Sequence, residues 1–215
     1  MLSCCSISDT MKKLILTFIV LTVAQFSFGQ IIDIPDPLFK NALLDHSPVI
    51  DLNDDGEIQF SEAESVIILN VRNKDILNLT GIEAFTNITE LDCGLNDLTE
   101  LNISNLESLE ILKFIHNDLT DIDVSQNLNL REFWGNFNEF TSLNFTDNIN
   151  LELITVPYCF TLTSINVQGC TNLEQLFVGE TNIQDIDISN NQNLTLIQAI
   201  NTPITEIDVS QNPFL

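Results

Sequence analysis

A segment of the N-terminal region has the residue types and spacing of a calcium-binding loop. Residues 51–62 read D-L-N-D-D-G-E-I-Q-F-S-E and match the pattern D-x-[DN]-x-[DN]-G-x5-E at every defined position. Ca²⁺ takes about six to eight oxygen ligands, and this spacing delivers oxygens around one tight turn. The predicted ligands are the side chains of Asp51, Asn53, Asp55 and Glu62, the backbone carbonyl of Glu57, and Gln59 directly or through water.

The residues around this loop predict the elements that position it. Asp36 and Pro37 have the types expected at the N-cap and first turn of an incoming helix that runs to Leu44. A short exit helix is predicted from Ser61 to Ile68. Because we find one such loop and not a pair, the sequence favours a permanent structural calcium clip over a calcium sensor. The alternative is an Asp/Asn/Gly-rich turn that fits the pattern by chance.

The rest of the chain is dominated by a repeat of 21 residues. A fixed period of this size is typical of a solenoid, in which each turn buries its apolar edge against its neighbours. The copies cover 90–110, 111–131, 132–152, a 22-residue copy 153–174, 175–195, and 196–215, where the last copy breaks off.

Each copy has two unlike halves, which we name the strand half (90–99 in the first copy) and the return half (100–110). The strand half fits the leucine-rich-repeat consensus L-x-x-L-x-L-x-x-N/C-x-L. Asparagines recur at one bend (Asn96, Asn117, Asn138) and at the other (Asn127, Asn148, Asn191, Asn212). We expect these stacked asparagines to satisfy backbone groups that the bends leave unpaired.

Composition excludes several classes of function. With 7 basic and 31 acidic residues, the net charge of −24 disfavours nucleic acid and anionic membrane surfaces as partners. The two histidines are His46 and His116, and neither a Gly-rich phosphate loop nor a zinc-type Cys/His cluster is present in the sequence. The carboxylates recur at fixed repeat positions, as a solvated surface would have them. We therefore expect a protein that is not an enzyme.

The N-terminal segment predicts export. Lys12 and Lys13 precede an apolar run from Leu14 to Ala24, and a small-x-small site follows before Gln30. Residues 1–29 are therefore interpreted as a signal peptide whose true start could be Met11. The mature chain would keep Cys93, Cys159 and Cys170, an odd count that makes no disulfide framework. Buried free thiols and a Cys159–Cys170 bridge both remain open.

These motifs resemble the secreted leucine-rich-repeat proteins of the Bacteroidetes, which are distantly similar to internalins. The resemblance rests on the acidic EF-hand-like loop, the L-T-G-I-E-A-F-T-N-I run at 79–88, and the L-x-x-L-D-V-S-x-N turns. It implies a right-handed, mainly β solenoid with a short helical N-terminal cap, secretion or surface display, and binding of a protein or glycan. We place the cap at 30–67 and the repeats at 68–215, with a C-terminus that lacks a cap.

The outward positions of the two halves differ. In the return half they are monotonous Asp, Asn and Ser residues, whereas in the strand half they vary and are often apolar. Trp134, Thr155 and Phe177 should form one column, since equivalent strand positions stack across neighbouring strands. We predict a ligand-binding face centred on Trp134, Phe137, Tyr158 and Phe177, with Lys113 and His116 at its edge.

Two functions remain open at this level. The first is a secreted recognition or adhesion module that uses this face. The alternative is a structural or calcium-dependent extracellular component without a specific ligand, in which the aromatic side chains pack on each other or beneath a further segment.

Overall fold

The computed structural model describes residues 29–215, which form a helical cap followed by a β solenoid. The predicted signal peptide lies, except for its last residue, outside the described residues. The cap contains helix α1, Pro37–Leu44, and helix α2, Phe60–Ala63. Within residues 29–215, no helix combines the length and the apolar character needed to cross a membrane.

Asp36 caps α1 as predicted and also ties the cap to the repeats. Its Oδ1 accepts hydrogen bonds from the backbone N–H groups of Leu38 (2.8 Å) and Phe39 (3.1 Å). Its Oδ2 accepts from Leu77 (2.9 Å) and Asn78 (3.0 Å), in the loop after the first strand. Burial raises the pKa of Asp36, but the four backbone donors outweigh it and lower the pKa overall.

The predicted exit helix is wrong at its C-terminal end. Helix α2 stops at Ala63, and Ile68 opens strand β1, Ile68–Asn70, which pairs with Glu90–Asp92 in parallel. The β-branched run Val66-Ile67-Ile68 suits a strand better than a helix, and pairing with the first repeat stabilises the extended form.

The six strand halves and β1 together form a parallel sheet of seven strands, which confirms the predicted mainly β solenoid. The middle residue of the inner strands is fully buried: Leu91, Leu112, Phe133, Ile154 and Leu176 are each 0% exposed. A 3₁₀ helix, Ile82–Ala84, lies between β1 and β2. The remaining strands of this sheet are β2 Glu90–Asp92, β3 Ile111–Lys113, β4 Glu132–Trp134, β6 Leu153–Thr155, β8 Gln175–Phe177 and β9 Leu196–Gln198.

The return halves are less regular. In the described chain, strands occur there in two turns only: β5, Ser142–Asn144, and β7, Ser164–Asn166, which pair in parallel. The inward residues Leu143 and Ile165 close the core from this side. The rings of Phe133 from β4 and Phe145 after β5 meet edge to face, with centroids 4.8 Å apart, and so join the two halves across the core.

Both asparagine rows stack as predicted and bond to backbone groups. In the strand-half row, Asn138 Nδ2 donates to the carbonyls of Phe114 (3.2 Å) and Gly135 (3.1 Å), while its Oδ1 accepts from Leu119 N (3.1 Å). In the return-half row, Asn148 Nδ2 donates to Val124 O and Asn127 O. The Oδ1 atoms of this second row have no partner within the described structure: they belong to Asn127, Asn148, Asn191 and Asn212.

The three cysteines of the described chain are free and buried, so the bridge alternative is not what the structure has. Cys159 and Cys170 each take an asparagine position and donate to a carbonyl of the preceding turn, Gly135 O at 3.3 Å and Phe145 O at 3.5 Å. Burial raises the pKa of Cys159 to about 11 and that of Cys170 to about 12. Such thiols stay protonated and unreactive at neutral pH.

Candidate ligand face and calcium loop

The outward residues of the seven-stranded sheet, which we name the strand face, contain the predicted aromatic column. The strand register places Trp134 beside Thr155, and Thr155 beside Phe177. Thr155, which lies between these two larger residues, is only 5% exposed. Trp134 and Phe177 are half-buried, each with part of the ring open to solvent.

Two polar contacts fix this column. The indole N–H of Trp134 donates to Glu132 Oε2 at 2.9 Å, two residues earlier on the same outward side of the strand. Thr155 Oγ1 donates to Asn136 Oδ1 at 3.2 Å. The tryptophan ring is thereby held in one orientation and presents its apolar body to solvent while its polar atom is satisfied.

Lys113 is not a free cation at the edge of this face. Its Nζ lies 2.6 Å from Glu90 Oε1 on the preceding strand. One strand earlier, Arg72 NH1 lies 3.5 Å from Asp92 Oδ1 in the same way. Lys113 therefore neutralises the sheet's own carboxylate, which leaves the apolar residues as the distinctive part of the strand face.

A second outward column escaped the sequence reasoning. The first residue of each strand also points outward, and Ile111 and Leu153 alternate there with Glu132. Ile111 and Leu153 are half-buried, and Leu196 at the C-terminal end is 44% exposed. Outward positions recur at every second residue, so the sequence pattern marks the first residue of each strand as well as the third.

The other predicted residues lie on a separate surface, at the bend after each strand. His116, Phe137 and Tyr158 occupy one position of successive turns and have φ between 55° and 63°, in the left-handed region. The rings of His116 and Phe137 stack with centroids 3.9 Å apart, and those of Phe137 and Tyr158 with centroids 4.4 Å apart. The aromatic side chains therefore pack on each other, as one of the two alternatives expected, in the stack of His116, Phe137 and Tyr158.

The extra residue of the 22-residue copy extends this stack. It falls between Cys159 and Leu162, and it places Phe160 outside the solenoid with 60% of its surface exposed. The rings of Phe160 and Tyr158 meet edge to face, with centroids 6.2 Å apart. We name the exposed series His116, Phe137, Tyr158 and Phe160 the bend ridge. The sequence analysis did not predict Phe160 as part of this surface, although the 22-residue length of its copy distinguishes that turn from the others.

The carboxylates of the predicted calcium loop accept hydrogen bonds from the loop's own backbone. The two oxygens of Asp51 accept from Asp55 N (3.3 Å) and Gly56 N (2.9 Å). The Glu62 carboxylate spans the loop, with Oε1 on Leu52 N at 2.8 Å and Oε2 on Gln59 N at 3.0 Å. Asp51 and Glu62 are 8% and 5% exposed, so both are buried acids.

The neutral donors complete the network. Asn53 Nδ2 lies 3.0 Å from Asp55 Oδ2 and 3.1 Å from Gln59 Oε1. The Glu57 side chain instead pairs with Lys40 of α1, with Oε2 2.6 Å from Nζ. The backbone N–H of Glu57 donates to Asp55 and is the main cause that lowers the pKa of this carboxyl.

Chemically, the loop offers only oxygen donors. The side chains of its predicted ligands are three carboxylates and two carboxamides, and Gly56 has a φ of 78° at the reversal. Within residues 29–215, no group of three or more His, Cys, Asp or Glu side chains is placed to hold a metal on its own. A cation here would depend on the amide and carbonyl oxygens as well, which is the donor set that Ca²⁺ accepts.

The histidine that follows the cap helix α1 has a structural role. His46 Nδ1 lies 2.9 Å from the Pro48 carbonyl, and its Nε2 accepts from Asn70 N at 3.2 Å. Both ring nitrogens are engaged, and they link the end of α1 to strand β1.

Comparison with known proteins finds similarity in structure but not in sequence families. No family model matches the chain, and no curated protein matches it. The functional domain of InlJ from Listeria monocytogenes is 27% identical over 74% of this chain and 40% of that one, with a TM-score of 0.62. Internalin C2 from the same organism is 19% identical over 84% of this chain and 81% of that one, with a TM-score of 0.59.

A leucine-rich-repeat protein of Leptospira interrogans is 17% identical over 71% of this chain and 48% of that one, with a TM-score of 0.52. These likenesses show an internalin-like leucine-rich-repeat fold, and the chain spans less than half the length of the InlJ domain. The InlJ domain is described as including a cysteine ladder. Here Cys93 is followed at the equivalent positions by Phe114 and Gly135, so no ladder continues from it.

Proposed function

We propose that this protein is a secreted, non-catalytic recognition module that binds its ligand through the strand face and the bend ridge, with a structural calcium site in the cap. The shared fold with the InlJ functional domain supports an interaction module. The proposals of ligand binding, secretion and calcium binding are based on the residues of this chain.

The observation that carries the proposal is an apolar patch on a rigid support. Ile111, Trp134, Leu153 and Phe177 lie on neighbouring strands and point away from the core that Leu112, Phe133, Ile154 and Leu176 fill. The outward apolar residues are therefore not needed to complete that core. Partly exposed apolar patches with a tryptophan are typical of binding hot spots.

The double variant Trp134→Ala/Phe177→Ala tests this proposal. Wild type and variant are screened against one panel of extracellular proteins and one glycan array. Removing two hot-spot side chains commonly weakens binding by about 2 kcal/mol or more, so the hits should disappear. Ser142→Ala/Ser164→Ala changes two exposed residues of the return half as a matched control and should keep every hit. Hits that survive in the first variant, or a variant that no longer folds, would contradict the proposal.

For the cap, we propose that Asp51, Asn53, Asp55, Gln59 and Glu62, with the Glu57 carbonyl, hold Ca²⁺. A bound Ca²⁺ would supply positive charge to two buried carboxylates that have no cationic partner among the described ion pairs. Buried charges need such compensation. The metal would fix the chain between α1 and α2 and so stabilise the cap, without a part in recognition.

Thermal unfolding with Ca²⁺ and with a chelator tests this site. A ligand that binds only the folded state at about 100 times its Kd adds roughly 2.7 kcal/mol, so Tm should rise with Ca²⁺. Glu62→Gln should abolish the rise. Glu64→Gln, an exposed acid just outside the loop, is the matched control and should keep it. A wild-type Tm that is the same in both conditions would rule out the calcium clip.

Export is proposed from the sequence alone. N-terminal sequencing of the protein recovered from culture medium should give a chain that starts at Gln30. Recovery with residues 11–29 still attached would contradict cleavage at this site.

A further inference from the structure

We propose that the ligand is a cationic polypeptide, which the bend ridge contacts together with a row of carboxylates beside it. The row consists of Asp97, Asp118 and Glu139, and we name it the acidic row. This inference rests on the proposed recognition function and narrows its ligand from a protein or glycan to a basic protein segment.

The geometry of the rings disfavours a sugar. A sugar ring stacks its C–H groups on an open aromatic face. Phe137 has both faces covered, by His116 at 3.9 Å and by Tyr158 at 4.4 Å, with interplanar angles of 10° and 9°. The bend ridge therefore presents mainly ring edges, together with the exposed Phe160. Edges of this kind pack against aliphatic and aromatic side chains of a polypeptide.

The acidic row lies parallel to the ridge. Each of its residues directly follows an asparagine of the strand-half row, and the backbone N–H groups of Asp118 and Glu139 donate to Leu98 O and Leu119 O of the turns before. All three carboxylates are exposed. None of them belongs to the ion pairs formed among the described residues. They are thus available to a partner, unlike Glu90 and Asp92 on the strand face.

Size and charge point to the same occupant. Strands lie about 4.8 Å apart, so the ridge and the row each extend roughly 10–15 Å across neighbouring turns. An extended segment of a few residues that crosses these turns meets apolar edges on one side and carboxylates on the other. The chain's net charge of −24 would attract a basic segment over a longer range. A neutral or acidic glycan has no counterpart to the acidic row.

Binding of defined probes tests the inference. The first probe is a capped peptide of roughly twelve residues that alternates leucine and lysine, long enough to cross the ridge. A leucine/glutamate peptide of the same length and a chitin hexasaccharide are the others. Affinities are measured by calorimetry for wild type, for Phe160→Ala, and for the triple variant Asp97→Asn/Asp118→Asn/Glu139→Gln. Asp123→Asn/Asp187→Asn/Asp208→Asn removes the same charge from the return half.

The leucine/lysine peptide should bind wild type. It should bind the acidic-row variant roughly tenfold more weakly, because three rim charges are lost together. Phe160→Ala should also weaken it, whereas the return-half variant should change it much less. An equal loss in the return-half variant would show attraction by bulk charge and overturn the inference. So would a hexasaccharide that binds while the leucine/lysine peptide does not, or a leucine/lysine peptide that does not bind.

Failure of this inference is distinguishable from failure of the proposed function. If the ridge and acidic-row variants bind the leucine/lysine peptide like wild type while Trp134→Ala/Phe177→Ala still loses the screening hits, only the cationic ligand is wrong. If Trp134→Ala/Phe177→Ala keeps every hit, the recognition face itself is wrong.

Discussion

The two halves of each repeat are unlike in sequence and also differ in structure. The strand halves form six strands that pair in one sheet with β1, and their outward residues change from turn to turn. The return halves contain two short strands, and their outward residues are mostly Asp, Asn and Ser. Asp123, Asp187 and Asp208 each accept from the backbone N–H of the serine two residues on. The return half uses its outward side chains to close its own turns, whereas the strand half keeps the apolar surface of Ile111, Trp134, Leu153 and Phe177 partly open to solvent.

The asparagine rows show the same contrast. In the strand-half row, the carboxamide both donates and accepts, so it fixes backbone groups of neighbouring turns. In the return-half row it only donates, and its oxygen is buried without a partner in the described chain. The more firmly held bend is the one at the strand-half asparagines. At Asn117 and Asn138, the asparagine lies between a residue of the bend ridge and a residue of the acidic row. A rigid support under variable side chains is what a preorganised binding surface requires.

The largest expected effect is a difference in stability between variants on the inward and outward sides of one strand. Phe133→Ala removes a ring that is 0% exposed and that contacts Phe114 and Phe145, so we expect about 3–5 kcal/mol of destabilisation. Trp134→Ala, one residue later, removes an outward ring and should cost about 1 kcal/mol. Urea unfolding measures both. Equal losses would show that Trp134 belongs to the core and would weaken the strand face as a binding surface.

The next largest difference in stability should be between variants in the two asparagine rows. Asn138→Ala leaves the buried Leu119 N–H without a partner, which costs about 1–3 kcal/mol. It also removes one donor each from Phe114 O and Gly135 O, which keep Asn117 Nδ2 and Cys159 Sγ, so about 3 kcal/mol is expected in total. Asn148→Ala removes one donor each from Val124 O and Asn127 O, which keep backbone N–H donors. It also removes a buried oxygen that had no partner, so about 1 kcal/mol is expected. Denaturant melts of the two variants compare them. A larger loss for Asn148→Ala would reverse the ranking of the rows.

A glycine pair tests how closely the return half is packed. A Cβ on Gly169 would collide with the Thr146 backbone carbonyl, whereas one on Gly179 would lie 3.2 Å from Ile200 O. Gly169→Ala should therefore cost about 2–3 kcal/mol and Gly179→Ala about 1 kcal/mol or less. Thermal melts at one protein concentration provide the measurement. If Gly169→Ala is as stable as wild type, the close approach at this return-half bend is not a constraint.

The smallest effect is the part of the pH dependence that the return half contributes. Hydrogen bonds from the backbone of Ser125, Ser189 and Ser210 lower the pKa values of Asp123, Asp187 and Asp208. A carboxyl whose folded pKa is lowered stabilises the fold above its unfolded pKa near 3.9, and this contribution is lost as pH falls through the folded value. Wild type should lose Tm relative to Asp123→Asn/Asp187→Asn/Asp208→Asn below about pH 4. A difference in Tm that stays constant from pH 7 to pH 2.5 would contradict this.

Much of the fold followed from the sequence because its determinants are local and periodic. The repeat, the asparagine rows and the Asp36 cap are each specified by residue type at a fixed spacing. The exit helix was predicted too long because pairing of Ile68 with the first repeat outweighs local helix preference.

The candidate surface was less predictable from the sequence. The ring stack depends on left-handed backbone at His116, Phe137 and Tyr158, which is uncommon for residues other than glycine. The ion pair of Lys113 with Glu90 joins residues 23 apart, and only the strand register brings them together. Contacts between turns depend on the fold as a whole, and no local sequence pattern predicts them.

The most direct test of the division between the halves compares two fourfold variants. One replaces the strand-face residues Ile111, Trp134, Leu153 and Phe177 with Ser. The other replaces the exposed return-half residues Ser142, Ser164, Asp185 and Glu206 with Ala. Both are screened on the same protein panel and glycan array, and both are melted in parallel. We expect the strand-face variant to stay folded and lose every hit, while the return-half variant keeps them. Hits lost in the return-half variant, or retained in the strand-face variant, would contradict the assignment of recognition to the strand half.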